Sequence, residues 1–210
     1  MKNKDIKMKK IILVLTSLCI VPALSFGADS ASNRADQTIR LGTKGGLHIF
    51  YILSQPYMLE LPGKDWTFGV AAGSGGWSQD VTTSSGTSSY KWTVTSQELN
   101  ARYYVGNSFN ILLGYGSYGF KVEDYPILSS YTYDITYNQT QINVGIGNEW
   151  TYDWGGFFGI DWFQTGSKMS DKYEIKIKSG SETAASKAAA NEVDTLAISG
   201  ALVFNFGFGF

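Results

Sequence analysis

The sequence predicts an all-β chain that closes into an eight-stranded antiparallel up-and-down transmembrane β-barrel. Three observations predict it. Apolar and polar residues alternate with period two in segment after segment, short turns alternate with long polar connections, and the chain ends on an alternating row of phenylalanines. Successive strand side chains point to opposite faces, so such segments present one apolar and one polar face. The 210 residues include 6 Trp, 13 Tyr, 12 Phe and 24 Gly, and only 17% are charged. Few charges and many aromatics argue against disorder. One Cys and one His cannot build a zinc cluster or a disulfide framework. A formal charge of -1 gives no basic footprint for nucleic acid.

Residues 1–27 read as a signal peptide. Lys2, Lys4, Lys7, Lys9 and Lys10 form its positive start, Ile11 to Ile20 its apolar segment, and Ser25-Phe26-Gly27 the small-residue cut. Residues 28–36 carry no pattern and are expected to be a flexible lead-in. Residues 37–210 are assigned to the barrel. None of its segments reaches 18 consecutive apolar residues, so it has no transmembrane helix.

Strand one is placed at Gln37 to Gly42. Lys44-Gly45-Gly46 forms a brief outer loop and Leu47 to Leu61 strand two. Pro56 sits awkwardly in that strand, and a hairpin turning at Ser54-Gln55-Pro56 is the alternative. Strand three sets Trp66, Phe68, Val70 and Ala72 against Thr67, Gly69, Ala71 and Gly73. Leu99, Ala101, Tyr103 and Val105 oppose Glu98, Asn100, Arg102 and Tyr104. In the fifth strand Phe109, Ile111 and Leu113 alternate, but Tyr118, Phe120 and Val122 have the other parity. A bulge near Gly114 or Gly116 is therefore expected. Ile142, Val144, Ile146 and Trp150 oppose Gln141, Asn143, Gly145, Gly147 and Glu149, and Phe158 and Ile160 oppose Phe157, Gly159 and Asp161. The last strand puts Leu202, Phe204, Phe206, Phe208 and Phe210 on one face.

Tight turns are expected at residues 61–65, 106–108 and 151–153, and long outer loops at 78–89, 123–130 and 166–194. Short turns on one rim and long loops on the other fit an outer-membrane barrel. In the last loop Tyr173, Ile175 and Ile177 alternate with charged residues, which reads as a strand continuing beyond the membrane. Ala-rich Ser181 to Glu192 predicts a short surface helix. Trp66, Tyr103, Trp150 and Trp154 near the tight turns, with Trp77 and Trp92 toward the outer loops, are assigned to aromatic girdles. Trp66 and Trp77 are 11 residues apart. At about 3.3 Å per residue and a tilt near 45°, that is roughly 26 Å along the membrane normal.

On these features the chain resembles the small eight-stranded outer-membrane proteins of Gram-negative bacteria, the grouping of the OmpA barrel, OmpX and OmpW. The row Phe204, Phe206, Phe208 and Phe210 resembles the terminal signal read by the barrel-assembly machinery. The resemblance implies outer-membrane location, a monomeric barrel and both termini in the periplasm. As partners it implies outer-membrane lipids, and the assembly machinery with periplasmic chaperones during biogenesis. Homo-oligomers are left open.

Arg40, Glu98, Arg102, Glu149 and Asp161 are expected to face the lumen. A buried charge needs a partner, and we expect Arg102 to pair with Glu149 and Asp161 with Arg40. No catalytic, cofactor or metal residues are assigned. His48 has no Ser or Asp at a distinguishing spacing, so a lipid-modifying enzyme is disfavoured. Gly114-Tyr115-Gly116-Ser117-Tyr118-Gly119 matches a dinucleotide fingerprint by letter, but strand continues on both sides. The expected function is a non-enzymatic envelope or surface-interaction protein with a side-chain-filled lumen. A narrow channel for small solutes is the alternative that the OmpW resemblance suggests.

Overall fold

The computed structural model describes residues 29–47, 49–83, 86–128, 131–179 and 201–210. Eight strands run in chain order and close on themselves, every neighbouring pair antiparallel. They are β1 (Arg40–Gly46), β2 (Tyr57–Pro62), β3 (Trp66–Thr83), β4 (Gly86–Tyr104), β5 (Phe109–Leu128), β6 (Tyr131–Thr151), β7 (Gly156–Ser179) and β8 (Ala201–Gly209). Closure pairs β1 with β8, Arg40 opposite Gly209, and Thr38 and Ile39 extend the seam by donating to the Phe210 carbonyl. Two short helices complete the described fold, α1 (Ser30–Ala35) and α2 (Ile49–Ser54).

The expected short turns lie between β2 and β3, β4 and β5, and β6 and β7. The expected long loops are different. Strand pairing runs to Thr83–Gly86 between β3 and β4, to Leu128–Tyr131 between β5 and β6, and to Thr132–Ser179 between β6 and β7. Much of the polar sequence assigned to loops is therefore strand. The predicted helix at 181–192 and the predicted signal peptide lie outside the described residues.

The period-two pattern also reverses along the strands. Near the short turns it is apolar outside and polar inside. Phe68, Val70, Leu99, Ile111, Leu113 and Val144 are exposed on the outer wall, while Thr67, Asn100, Arg102, Asn110 and Asn143 are buried inside. Near the other end Lys91, Lys121 and Glu123 point outward, and Tyr90, Val122, Tyr133 and Ile135 form an internal apolar cluster with Trp92, Phe120, Tyr173 and Ile175 against it. The β4–β5 register is unbroken from Lys91–Glu123 to Tyr104–Asn110. The bulge expected near Gly114 is thus absent. Tyr118, Phe120 and Val122 carry the other parity because they belong to the interior.

Two further elements differ from expectation. The run Leu47 to Leu61 is not one strand. Residues 49–54 form α2, which turns into the barrel and packs on β1, β3 and β4. A short apolar run fits helix and buried strand equally, and here Gln55 at φ 44° breaks the chain between α2 and β2. Gly75 makes room for this: a Cβ there would collide with the Leu53 carbonyl. In place of a flexible lead-in, α1 sits across the short-turn mouth with Ser30 and Arg34 fully buried.

Candidate functional site: a filled, charged lumen

The interior is stacked in layers. At the short-turn mouth, the Arg34 side chain donates to the carbonyls of Gly63 (3.0 Å), Lys64 (2.5 Å) and Asn107 (3.3 Å). Its guanidinium lies 3.4 Å from the centroid of the Tyr104 ring. Burial lowers its pKa from the ordinary guanidinium value, and Tyr104 and Glu149 oppose that shift. Ser30 Oγ accepts from the Thr151 amide (2.8 Å), and the Ala31 amide donates to Asn107 Oδ1 (2.8 Å). Since α1 bonds to two of the short turns and to the end of β6, it ties the hairpin ends together.

Above it lie the ion pairs. Arg40 donates to Glu149 Oε1 (2.5 Å), Thr151 Oγ1 (2.5 Å) and Gln37 Oε1 (2.6 Å), and Tyr104 adds a hydroxyl to the same Glu149 oxygen (2.6 Å). Arg102 grips Asp161 with two parallel bonds of 2.6 and 2.8 Å and gives a third to Asn110 (2.9 Å). Lys44 bonds Glu98 at 2.5 Å, and the Tyr51 hydroxyl donates to the other Glu98 oxygen. The hydrogen-bonded partners differ from the expected ones: Arg40 bonds Glu149 and Arg102 bonds Asp161, while the expected Arg102–Glu149 pair persists as a longer ion contact. Distance from a turn brings Arg102 and Glu149 to similar depth but does not select the hydrogen-bonded partner, because bonded rows climb around a tilted barrel. The separation of Arg102 Nε and Glu149 Oε2 is 3.9 Å, too long for a hydrogen bond. Glycine also matters here. A Cβ on Gly147, the β6 partner of Asp161, would lie 2.7 Å from Asp161 Oδ1.

The interior also contains Lys44 and Glu60, which were not among the expected lumen residues. Both were legible. Lys44 shares the parity of Arg40, and Glu60 alternates with Leu59 and Leu61. Glu60 is 1% exposed, its nearest cation Arg40 is 3.9 Å away, and neither carboxylate oxygen accepts a hydrogen bond. Thr67 Oγ1 on β3 and Asn100 Oδ1 on β4 also lack donors.

A ladder of side chains climbs the inner face of β6. Tyr137 donates to Gln139 (2.7 Å), Gln139 to Gln141 (2.9 Å), Gln141 to Asn143 (2.5 Å) and Asn143 to the Tyr118 hydroxyl (2.8 Å). Tyr118 bonds Glu98 in turn (3.3 Å). Beside it α2 inserts Phe50 and Tyr51, which cluster with Val94, Tyr118 and Val203. The Phe50 and Tyr118 ring centroids are 5.0 Å apart.

The aromatic assignments divide. Trp66, Tyr103 and Trp154 are exposed on the outer wall. Trp77 and Trp92 face each other in the β3–β4 register and stack at 5.2 Å, but on the inner parity. They are not girdle residues, because an odd spacing from Trp66 or Tyr103 in an unbroken strand changes face. Trp150 has outward parity but stacks on Phe158 and is only 4% exposed, so it presents no free ring. Phe206, Phe208 and Phe210 are exposed along the seam, and Phe204 is half-buried beside Phe158. His48 lies outside the described residues, and among those described no group of His, Cys, Asp and Glu is placed to hold a metal.

Fold and interior together define a closed eight-stranded antiparallel barrel with an apolar outer band and a charged, side-chain-filled lumen. Among solved structures the chain is similar to the crystal structure of Acinetobacter baumannii CarO, with 11% sequence identity, a TM-score of 0.44, and 84% of this chain and 99% of that chain covered. A likeness so distant says nothing about function. No protein-family model and no curated protein matches the chain.

Proposed function

We propose that this protein is an integral barrel of the outer membrane of a Gram-negative cell, non-enzymatic, serving the envelope or surface contacts rather than transport. The supporting observation is the pairing of a charge-free outer band with a filled interior. Outward positions carry no charge from Thr93 to Tyr103 on β4 and from Phe109 to Gly119 on β5, ten residues apart in each case. At about 3.3 Å per residue and a tilt near 40°, that band is roughly 25 Å tall, which suits the hydrocarbon of an outer membrane. Ion pairs, the amide ladder and α2 together fill the lumen, which favours a closed barrel.

The strand ends beyond Lys91 and Lys121 then stand in water. Their polar exterior and aromatic interior are the polarity of a soluble barrel, as that position requires. This raised part is the surface offered to partners. Membrane fractionation with heat-modifiable migration in detergent tests the location, and planar-bilayer recording tests the closed lumen.

A narrow channel is the second reading, favoured by one observation. The unpaired oxygens of Glu60, Thr67 and Asn100 suit water inside the barrel. Reproducible unitary conductance steps would favour it over the closed form.

A further inference from the structure

The outer wall has a broad depression within the charge-free band, with a volume of about 470 Å³. Its floor is Ala101, and its walls include Phe68, Leu113, Tyr115, Ile142 and Met169. The register explains its shape. Phe68, Ala101 and Leu113 form one outward row, and Leu99, Tyr115 and Ile142 form the next. A single small residue among large neighbours leaves a dent. Its volume falls within the range of about 300–1,000 Å³ usual for ligand sites.

We infer that this groove seats an acyl chain of a membrane phospholipid, an inference that rests on the proposed membrane location. Three features select that occupant. The lining carries no charge, and its polar side chains are Tyr115 and Asn100, the latter buried on the inner face. The strands beneath it are already paired, Phe68 to Ala101, Ala101 to Leu113 and Leu113 to Val144, so no backbone is free for an added strand. Val70 and Val144 beside it, and Ile111 toward the short turns, are exposed, so the groove opens there into apolar wall, and on its other side it meets the uncharged outward row of Gln97, Ser117 and Thr140. Hydrocarbon matches such a surface. Counted from Tyr103, the groove lies in the half of the band nearer the short turns, where a chain of the periplasmic leaflet reaches.

The full chain, folded in detergent and incubated with palmitoyl-oleoyl phosphatidylethanolamine, tests this by native mass spectrometry. At low lipid concentration one retained lipid per barrel is expected. Ala101→Phe fills the floor and should abolish that adduct. Leu113→Trp, which fills the groove from its wall, should do the same, and Ile111→Phe outside the groove should leave it intact. Heat-modifiable migration verifies that each variant is folded. A folded wild type without the adduct, or an adduct indifferent to both filling variants, overturns the inference while leaving the membrane reading in place. So does a dimer that Ala101→Phe dissolves, which would make the groove a protein interface. A wild type that stays folded and dispersed without detergent overturns both.

Discussion

Arg102 on β4 and Asp161 on β7 meet across the lumen through two parallel hydrogen bonds of 2.6 and 2.8 Å, both residues fully buried. Neighbouring strands do not connect them, so the pair braces opposite walls. Removing one partner leaves the other buried without its hydrogen-bonded counter-charge, at a cost of about 3–5 kcal/mol. Asp161→Ala or Arg102→Ala should therefore shift the urea midpoint of the vesicle-folded barrel sharply down. The double variant Arg102→Leu with Asp161→Leu should recover most of the loss. If each single variant unfolds like wild type, the brace has no energetic role.

The outer band makes a depth-dependent prediction. Leu99 lies near its middle and Thr93 at its edge, both outward. An arginine facing lipid costs about 2–4 kcal/mol at the midplane and about 0–1 near the interface. Leu99→Arg should thus destabilise by that larger amount and Thr93→Arg hardly at all, in the same unfolding assay. Equal costs at both positions would misplace the band.

Trp66 and Trp77 show where the sequence misleads. Both flank an apolar stretch of β3 at a distance suited to a membrane, but odd spacing puts them on opposite faces of the wall. The strand pattern and the short turns were legible, since each depends only on local alternation. The hydrogen-bonded partners of Arg40 and Arg102 were not, because they depend on how bonded rows climb around the closed barrel; of the expected pairs only the long Arg102–Glu149 contact is present. Nor was α2, whose sequence Ile-Phe-Tyr-Ile-Leu-Ser carries no periodicity that separates helix from buried strand. The helix α1 had no apolar pattern at all; Arg34 and Ser30 hold it by bonds to backbone groups far along the chain.

The same opposition gives an optical test. In vesicles of phospholipid with brominated chains, a variant keeping only Trp66 or only Trp154 should be quenched, since both rings are exposed on the outer wall. A variant keeping only Trp77 or only Trp92 should retain its emission. Strong quenching of Trp92 would turn the upper part of β4 inside out.

Arg34 should hold the short-turn mouth in order. Its guanidinium and Nε serve carbonyls in two different turns and rest on Tyr104. Arg34→Ala removes charge-assisted hydrogen bonds worth about 1.5–3 kcal/mol each and a cation–π contact. Hydrogen exchange of the Ala31 and Thr151 amides, which bond to Asn107 and Ser30, should quicken, with the central strands unchanged. Arg34→Lys should restore little, because a single ammonium cannot reach both turns in the planar geometry of the guanidinium.

The decisive test of the closed lumen falls on α2, the described element that fills the middle of the barrel without forming its wall. Phe50 and Tyr51 are the large buried side chains it contributes, beside Leu53 and Ser54, and Tyr51 also bonds Glu98 and receives a bond from Gln164 at 3.2 Å. Truncating both to Ala removes two large rings from a site surrounded by Val94, Tyr118 and Val203. Core aromatic truncations cost about 3–5 kcal/mol each, so the double variant must first be shown to migrate as folded barrel. Wild type should give no discrete conductance steps. The folded double variant should give small ones, since the polar side chains on either side, Glu98 and Gln164, can accept the water that enters. If wild type already conducts and the truncation changes nothing, α2 does not close the path. The narrow-channel reading, with the unpaired oxygens around Glu60 along the route, then replaces the closed barrel.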